Sequence, residues 1–350
     1  MKYIGNKTRL LDFIEDSISK AEIPLEGTFC DLFSGTGSVG YFFKKKGMRV
    51  ISNDIMTYSY VLQKVMIELN STPDFAGLKV KLKLDSGCSL EELLATISVM
   101  TEKAGYFHNN FSPSGDFKRQ FFTDENGLKI GAIRDALSIW RTENVIDDVE
   151  FNYLLASLIN AADHVANMSG TYGAYLKIWR TVALKPLKLL PIETFDNSNS
   201  NSANSEVAEE LITKISGDIL YLDPPYNSRQ YASNFHVLET LAVWDKQELR
   251  GVAGLRDYET QKSAFSSKKL AANAFKSIIE KANFKYIVLS YNNEGIIPRE
   301  QIVEILGERG KISEFTTDYR RFRTESDHEG RQYKQVGDRV TEHLWLVECK

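Results

Sequence analysis

A short apolar run over residues 28–33 breaks into Ser34-Gly35-Thr36-Gly37, and from Gly35 to Gly40 the chain reads G-x-G-x-x-G. A helix is predicted over residues 39–46, stopping at Gly47. A second strand follows over residues 49–53 and ends at Asp54, 19 residues beyond Gly35. Strand, glycine turn, helix and strand make one βαβ unit. Glycines let a backbone approach a ligand closely, and a helix N-terminus offers free N–H groups. A carboxylate ending the second strand can accept both hydroxyls of a ribose. The pattern predicts a nucleoside-containing cofactor and by itself leaves NAD and S-adenosylmethionine open. Asp31, just before the turn, helps to choose. Its charge would repel a pyrophosphate, yet suits the positive amino group of a methionine moiety.

Further strands are predicted at residues 218–222, cut off by Pro224-Pro225 because proline cannot continue a ladder, and at 286–290. Helices over 271–282 and 299–308 flank the latter, and 311–317 and 341–348 read as two closing antiparallel strands. The expected architecture is a doubly wound α/β, Rossmann-like sheet. Between residues 71 and 183 the alternation is lost, and helices over 128–140 and 151–166 dominate. The expected division is therefore a sheet domain of residues 1–70 and 184–350 with a mainly helical insertion at 71–183. Residues 196–206, DNSNSNSANSE, read as a mobile polar loop.

Composition limits the function classes. The chain has 350 residues, a net charge of −4 and three cysteines in no C-x-x-C spacing, so neither a disulfide framework nor a structural metal is expected. The first residues carry Lys2, Lys7 and Arg9 and no apolar run, and no stretch reaches the roughly 18 apolar residues of a membrane span. A cytoplasmic protein is expected. The acidic balance gives no support to nucleic-acid binding, so any such surface must be local.

The most specific motif is Asp223-Pro224-Pro225-Tyr226, at the C-terminal end of a strand, where open α/β sheets place their chemistry. It suits methylation of an exocyclic amine. The N6 lone pair of adenine is delocalised into the ring and is a poor nucleophile. Two acceptors fixed against its N–H groups, the Asp223 carboxylate and the Pro224 carbonyl, would draw the nitrogen toward tetrahedral geometry. The prolines hold both acceptors rigid. Tyr226 offers a flat face for a base extruded from a duplex.

With these motifs in place, the chain resembles the Dam-like class of DNA adenine-N6 methyltransferases, in the subgroup of the FokI and NlaIII modification methylases. Residues 2–7 (KYIGNK), 31–37 (DLFSGTG) and 223–226 (DPPY) carry the resemblance. Residues 52–54 (SND), 121–134 (FFTDENGLKIGAIR), 167–177 (NMSGTYGAYLK), 227–231 (NSRQY) and 290–295 (SYNNEG) narrow it to that subgroup. The resemblance implies S-adenosylmethionine as cofactor, with Tyr3 and Lys7 at its methionine end. Asp31, Phe33 and the turn Ser34, Gly35, Thr36 and Gly37 would line it, and Asp54 would hold its ribose. It also implies that the insertion is the target-recognition region. The Asp-Phe pair that the class carries after its third strand has its expected equivalent at Glu193-Thr194-Phe195-Asp196, with Glu193 or Asp196 near the cofactor adenine.

Double-stranded DNA is the expected partner, with a cognate restriction endonuclease as a possible second one, and the chain is expected to be a monomer. Arg320, Arg321 and Arg323, in the densest basic-aromatic cluster, are candidate phosphate contacts, followed by Arg331, Lys334 and Arg339. Lys118 and Arg119 are candidates within the insertion, and Tyr172, Tyr175 and Lys177 through the family pattern. His108 and His164 read as ordinary polar residues. Three alternatives stay open: N4-cytosine methylation, a NAD-dependent oxidoreductase and a non-catalytic DNA-binding module.

Overall fold

The computed structural model describes residues 7–101, 103–320 and 339–350. The chain divides into two compact units, of which the second comprises residues 4–60, 197–231 and 259–350 and holds the sheet. Its seven strands are β1 (Thr28–Asp31), β2 (Arg49–Asn53), β3 (Ser202–Asn204), β4 (Ser216–Leu222), β5 (Asn283–Asn292), β6 (Gly310–Arg320) and β7 (Arg339–Cys349). They lie in the order β3-β2-β1-β4-β5-β7-β6, parallel through β5, with β7 antiparallel to both β5 and β6. The doubly wound α/β sheet expected from the motif order is present.

The strands alternate in the side they face. Phe29, Ile219, Tyr221, Val288, Leu344 and Leu346 pack with the helices Leu11–Lys20 and Ser38–Lys45. Cys30, Leu220, Leu222, Ile287, Leu289, Trp345 and Val347 pack with the helices Ala271–Lys281 and Arg299–Gly307. Period-two burial on both faces is what a sheet covered on each side requires.

The asparagine-rich segment is not the mobile loop its composition suggests. Residues 202–204 pair with β2 as the edge strand β3. Ahead of it, Asn197 Nδ2 donates to Met48 O at 2.7 Å, and Asn199 Nδ2 to Gly47 O at 3.0 Å. Asn201 Oδ1 accepts the Val50 N–H at 2.9 Å, and its Nδ2 donates to Asn197 Oδ1 at 2.9 Å. Side-chain amides thus serve as partners for backbone groups at the end of one helix and the start of β2. Low complexity here encodes hydrogen bonding rather than solvation.

The other unit comprises residues 61–196 and 232–258 and is helical. Its two long helices, Asp124–Thr142 and Asp148–Val165, start on side-chain caps. Thr123 accepts from Asn126 N, and Asp147 with Glu150 forms a capping box. The segment 232–258, assigned from sequence to the sheet domain, is part of this unit. Arg134 donates through Nε and Nη2 to the carbonyls of Leu241 and Ala242, near the end of the helix His236–Val243. None of the helices among the described residues is long and apolar enough to cross a membrane.

Asn201→Ala should destabilise the sheet unit by about 1–3 kcal/mol, the cost of leaving a buried backbone donor unsatisfied. A lowered urea midpoint measures it. An unchanged midpoint would mean that the asparagine hydrogen bonds do not hold this edge.

Candidate active site

The C-terminal ends of the parallel strands converge on one set of groups. Asp31 ends β1 opposite Ser52 of β2 and Tyr221 of β4. Gly35 and Gly37 have φ of +52° and +81°, the left-handed region that a side chain would strain, so the turn needs glycine at both positions. Ser34 N–H donates to Asn53 O at 2.9 Å, and Gly37 N–H to Ser34 O at 2.8 Å. Gly35 N–H donates to Asp54 Oδ2 at 2.9 Å, while Asp54 Oδ1 accepts from Met56 N–H at 2.8 Å. Asp54 therefore clamps the glycine turn, beyond ending a strand.

Asp31 is buried. Its Oδ2 accepts from Ser34 Oγ at 3.0 Å and from Gly40 N–H at 3.1 Å, whereas Oδ1 is buried without a hydrogen-bond partner. Burial raises its pKa to about 7, against the lowering effect of those two donors, and Asp223 and Asp54 raise it further. Phe33 is half-buried and meets Phe265 edge-on at 5.0 Å. Of the amino-terminal pair, Lys7 belongs to the site, and Tyr3 lies outside the described residues.

β4 ends directly in Asp223. Burial raises that carboxyl to about 7, with Lys7 pulling it down and Glu342 pushing it up. Lys7 Nζ lies 3.2 Å from Asp223 Oδ1 and 2.5 Å from Glu342 Oε1. Ser290 Oγ donates to the same Glu342 oxygen at 2.5 Å. Burial works against the Lys7 ammonium, but the two carboxylates outweigh it and hold its pKa well above the ordinary value. Pro224 is buried, and Tyr226 is half-buried, its ring edge-on to Tyr291 with centroids 6.4 Å apart. Ile296 N–H donates to Tyr226 O at 3.0 Å, and the Tyr291 hydroxyl accepts from Ile297 N–H. The stretch SYNNEG is thus the support of the Asp-Pro-Pro-Tyr turn. The stretch NSRQY is tied down likewise, since Gln230 exchanges two hydrogen bonds with the backbone of Ser263.

Glu342 and Ser290 are residues that the sequence reading missed. A signal existed. In Val340-Thr341-Glu342-His343-Leu344, alternation puts Glu342 in phase with buried Val340 and Leu344, where an apolar residue belongs. A second correction concerns the cofactor adenine. The third strand is residues 202–204, so the stretch after it is Ser205-Glu206-Val207, and Glu193 to Asp196 precede it. Glu206 N–H donates to Asn53 Oδ1, and Asn53 Nδ2 donates to Glu206 O, which ties this stretch to the end of β2.

In the helical unit the candidate contacts separate. Lys118 and Lys177 are exposed. Arg119 is not a surface arginine. It is buried and donates to the carbonyls of Asn110, Gly251 and Val252. Tyr172 is fully buried, its hydroxyl donating to Asp163 and its N–H to Asn234 O. Arg119 was expected at a surface as part of a basic pair, and Tyr172 through the family pattern. The motif FFTDENGLKIGAIR likewise supplies interior structure through Asn126 and Arg134. His108 shares one nitrogen, Nε2, with Ser114 and Asp124, an arrangement that ties a loop and lacks a relay geometry. Arg321 and Arg323 lie outside the described residues, as does the side chain of Arg320.

The family model for the D12 class of N6 adenine-specific DNA methyltransferases matches residues 3–305. The chain belongs to that family. That family is one of methyltransferases specific for adenine N6, and neither of cytosine N4 methylases nor of NAD-dependent oxidoreductases. The chain is similar to the type II methyltransferase M.FokI of Planomicrobium okeanokoites, 41% identical over 99% of this chain and 52% of that protein. It is also similar to the type II methyltransferase M.NlaIII of Neisseria lactamica, 38% identical over 99% of both chains. The modification methylase StsI of Streptococcus sanguinis is 40% identical over 88% of this chain and 46% of that protein. The chain thus spans about half the length of M.FokI and StsI, and nearly all of M.NlaIII.

Arg119→Met should lower stability by about 1.5–3 kcal/mol, as expected where charged hydrogen bonds to buried carbonyls are lost. The salt dependence of DNA binding should keep its slope. A slope reduced by about one would make Arg119 a phosphate contact instead.

Proposed function

We propose that this methyltransferase transfers the methyl group of S-adenosylmethionine to N6 of an adenine turned out of duplex DNA. One observation carries the reading. Two carboxylates, the buried Asp31 at the end of β1 and the largely buried Asp223 just beyond β4, lie at adjacent strands, close enough to influence each other's ionisation. One suits a cationic cofactor end and the other a reacting amine. The helical unit would be the target-recognition region, with exposed Lys118 and Lys177 available to phosphates. The names of the relatives favour a type II modification setting, and we also propose a cognate endonuclease as partner and a monomeric methylase.

The residues present fit S-adenosylmethionine. The unpartnered Oδ1 of Asp31 matches a methionine ammonium. The turn Ser34-Gly35-Thr36-Gly37 permits close backbone approach, and Asp54, at the end of β2 beside that turn, is placed to meet a ribose. When bound, the cofactor supplies a methyl group already activated by its sulfonium. The chain then has to present the nucleophile. The Asp223 carboxylate and the Pro224 carbonyl accept the two N6–H groups and localise the lone pair on nitrogen. Tyr226, fixed through Ile296 and Tyr291, stacks on the base. On accepting the methyl group, with the S–CH3 bond broken and a neutral thioether leaving, N6 would become cationic and would have to lose a proton. A carboxyl near 7 is matched to stabilise that charge and to take the proton.

Single-turnover transfer should therefore fall as pH drops below about 7, because protonated Asp223 can neither accept well nor take a proton. Asp223→Asn keeps one acceptor oxygen and loses the charge. It should slow transfer by roughly 10²–10⁴-fold, the range of a lost acid–base group, with cofactor affinity retained. Transfer by Asp223→Asn at near the native rate would remove Asp223 from the mechanism. Digestion of methylated duplex to nucleosides should give N6-methyladenosine.

Asp31 gives a separate prediction. Free protein carries a proton on this group below about pH 7, and a bound ammonium favours the ionised form. Cofactor binding at pH 7 should then release protons, and affinity should weaken as pH falls. Calorimetry in buffers of different ionisation enthalpy reads this directly, and a buffer-independent heat would assign the ammonium to another group.

A further inference from the structure

Glu342 is a carboxylate in the interior of the sheet. β7 lies between β5 and β6, and Glu342 is paired with Asn292 on one side and Thr317 on the other. It is fully buried, and a charge there is costly unless it is paired. Its partners are Lys7 and Ser290, both on the same oxygen.

The geometry of Lys7 is unequal between its two carboxylates. Nζ makes a hydrogen bond of 2.5 Å to Glu342 Oε1. To Asp223 Oδ1 it makes only an ion-pair contact at 3.2 Å, and that oxygen is buried with no aligned hydrogen bond. We propose that Glu342 is a positioning residue that withholds Lys7 from Asp223, so that Asp223 is left free to engage the target amine. Lys7 supplies enough positive charge to keep the carboxylate in place. Glu342, held by Ser290, takes the short hydrogen bond and prevents a tight pair that would occupy the acceptor. The reacting carboxylate is thereby less neutralised than a simple salt bridge would leave it.

The groups facing Asp223 set opposite signs. Lys7 lowers its affinity for a proton, and Glu342 raises it. Asp31 at the end of β1 and Tyr221 within β4 also feel its charge, and they are common to every variant below. In Glu342→Gln the like charge is gone and Lys7 is released onto Asp223. The acid limb of the single-turnover pH profile should move down by about one pH unit, the lower end of what an opposite charge at contact produces. The plateau rate should fall as well, since the paired carboxylate is a poorer acceptor. Lys7→Met should move the limb in the opposite direction. Glu342→Asp, which keeps the charge but draws it back from Lys7, should move it down by less, and it serves where Gln does not fold.

This inference rests on the reading that Asp223 handles the amine, and the two fail differently. The experiment is the pH profile of single-turnover methyl transfer, at saturating S-adenosylmethionine and duplex DNA, for the wild type, the three variants and Asp223→Asn. Near-native transfer by Asp223→Asn overturns the reading of Asp223 itself. Loss of transfer in Asp223→Asn, with the limb of the Glu342 variants unmoved or moved up, overturns the positioning role alone. A merely structural Glu342 would lower thermal stability and leave the limb where it is.

Discussion

Between β1 and β4 the sheet changes the direction in which it winds. From β1 the order runs outward through β2 to β3, and from β4 it runs the other way through β5. The connections leaving two neighbouring parallel strands must therefore part, and a crevice opens above their carboxyl ends. Both chemical motifs of this chain lie there. Asp31 and the glycine turn leave β1, and Asp223-Pro224 leaves β4. The facing of the two carboxylates is a consequence of strand order rather than of any contact between the motifs. The same crevice explains why both groups are hard to ionise, since water is displaced by the strands on either side.

The electrostatics follow from that burial. A carboxylate at the end of a covered sheet needs a counter-charge, and the chain brings one from Lys7, near its start. The lysine in turn stands on Glu342 of β7. Three charged groups from distant parts of the sequence thus meet in one place. Asp54 does a similar task at the glycine turn, where its oxygens go to the backbone N–H groups of Gly35 and Met56.

Much of this was legible in the sequence. β2 was bounded at Arg49 and Asn53, and the strands and helices around Asp31 and Asp223 were found because alternation, glycine and proline are local signals. The asparagine run was misread because its composition resembles that of a solvated linker. Its function depends on which backbone groups lie nearby, and composition does not carry that. Arg119 and Tyr172 were misread for a related reason, since neither a basic residue type nor a family motif says whether a side chain faces inward. Glu342 went unnoticed although its phase in an alternating strand was visible. A lone inward charge acquires meaning only when its partner is known, and the partner here is 335 residues away.

That separation bears on how the protein is made. β7 is the last strand of the sheet to leave the ribosome, yet it does not add to an edge. It takes a place between β5 and β6, which cannot be completed until it arrives. Pairings of such long sequence separation form late and slowly. During synthesis Lys7 must wait for 335 further residues before its second carboxylate appears. Without β7, Lys7 lacks Glu342 as a partner. The pairing of Lys7 is in this way tied to the arrival of β7 in the sheet.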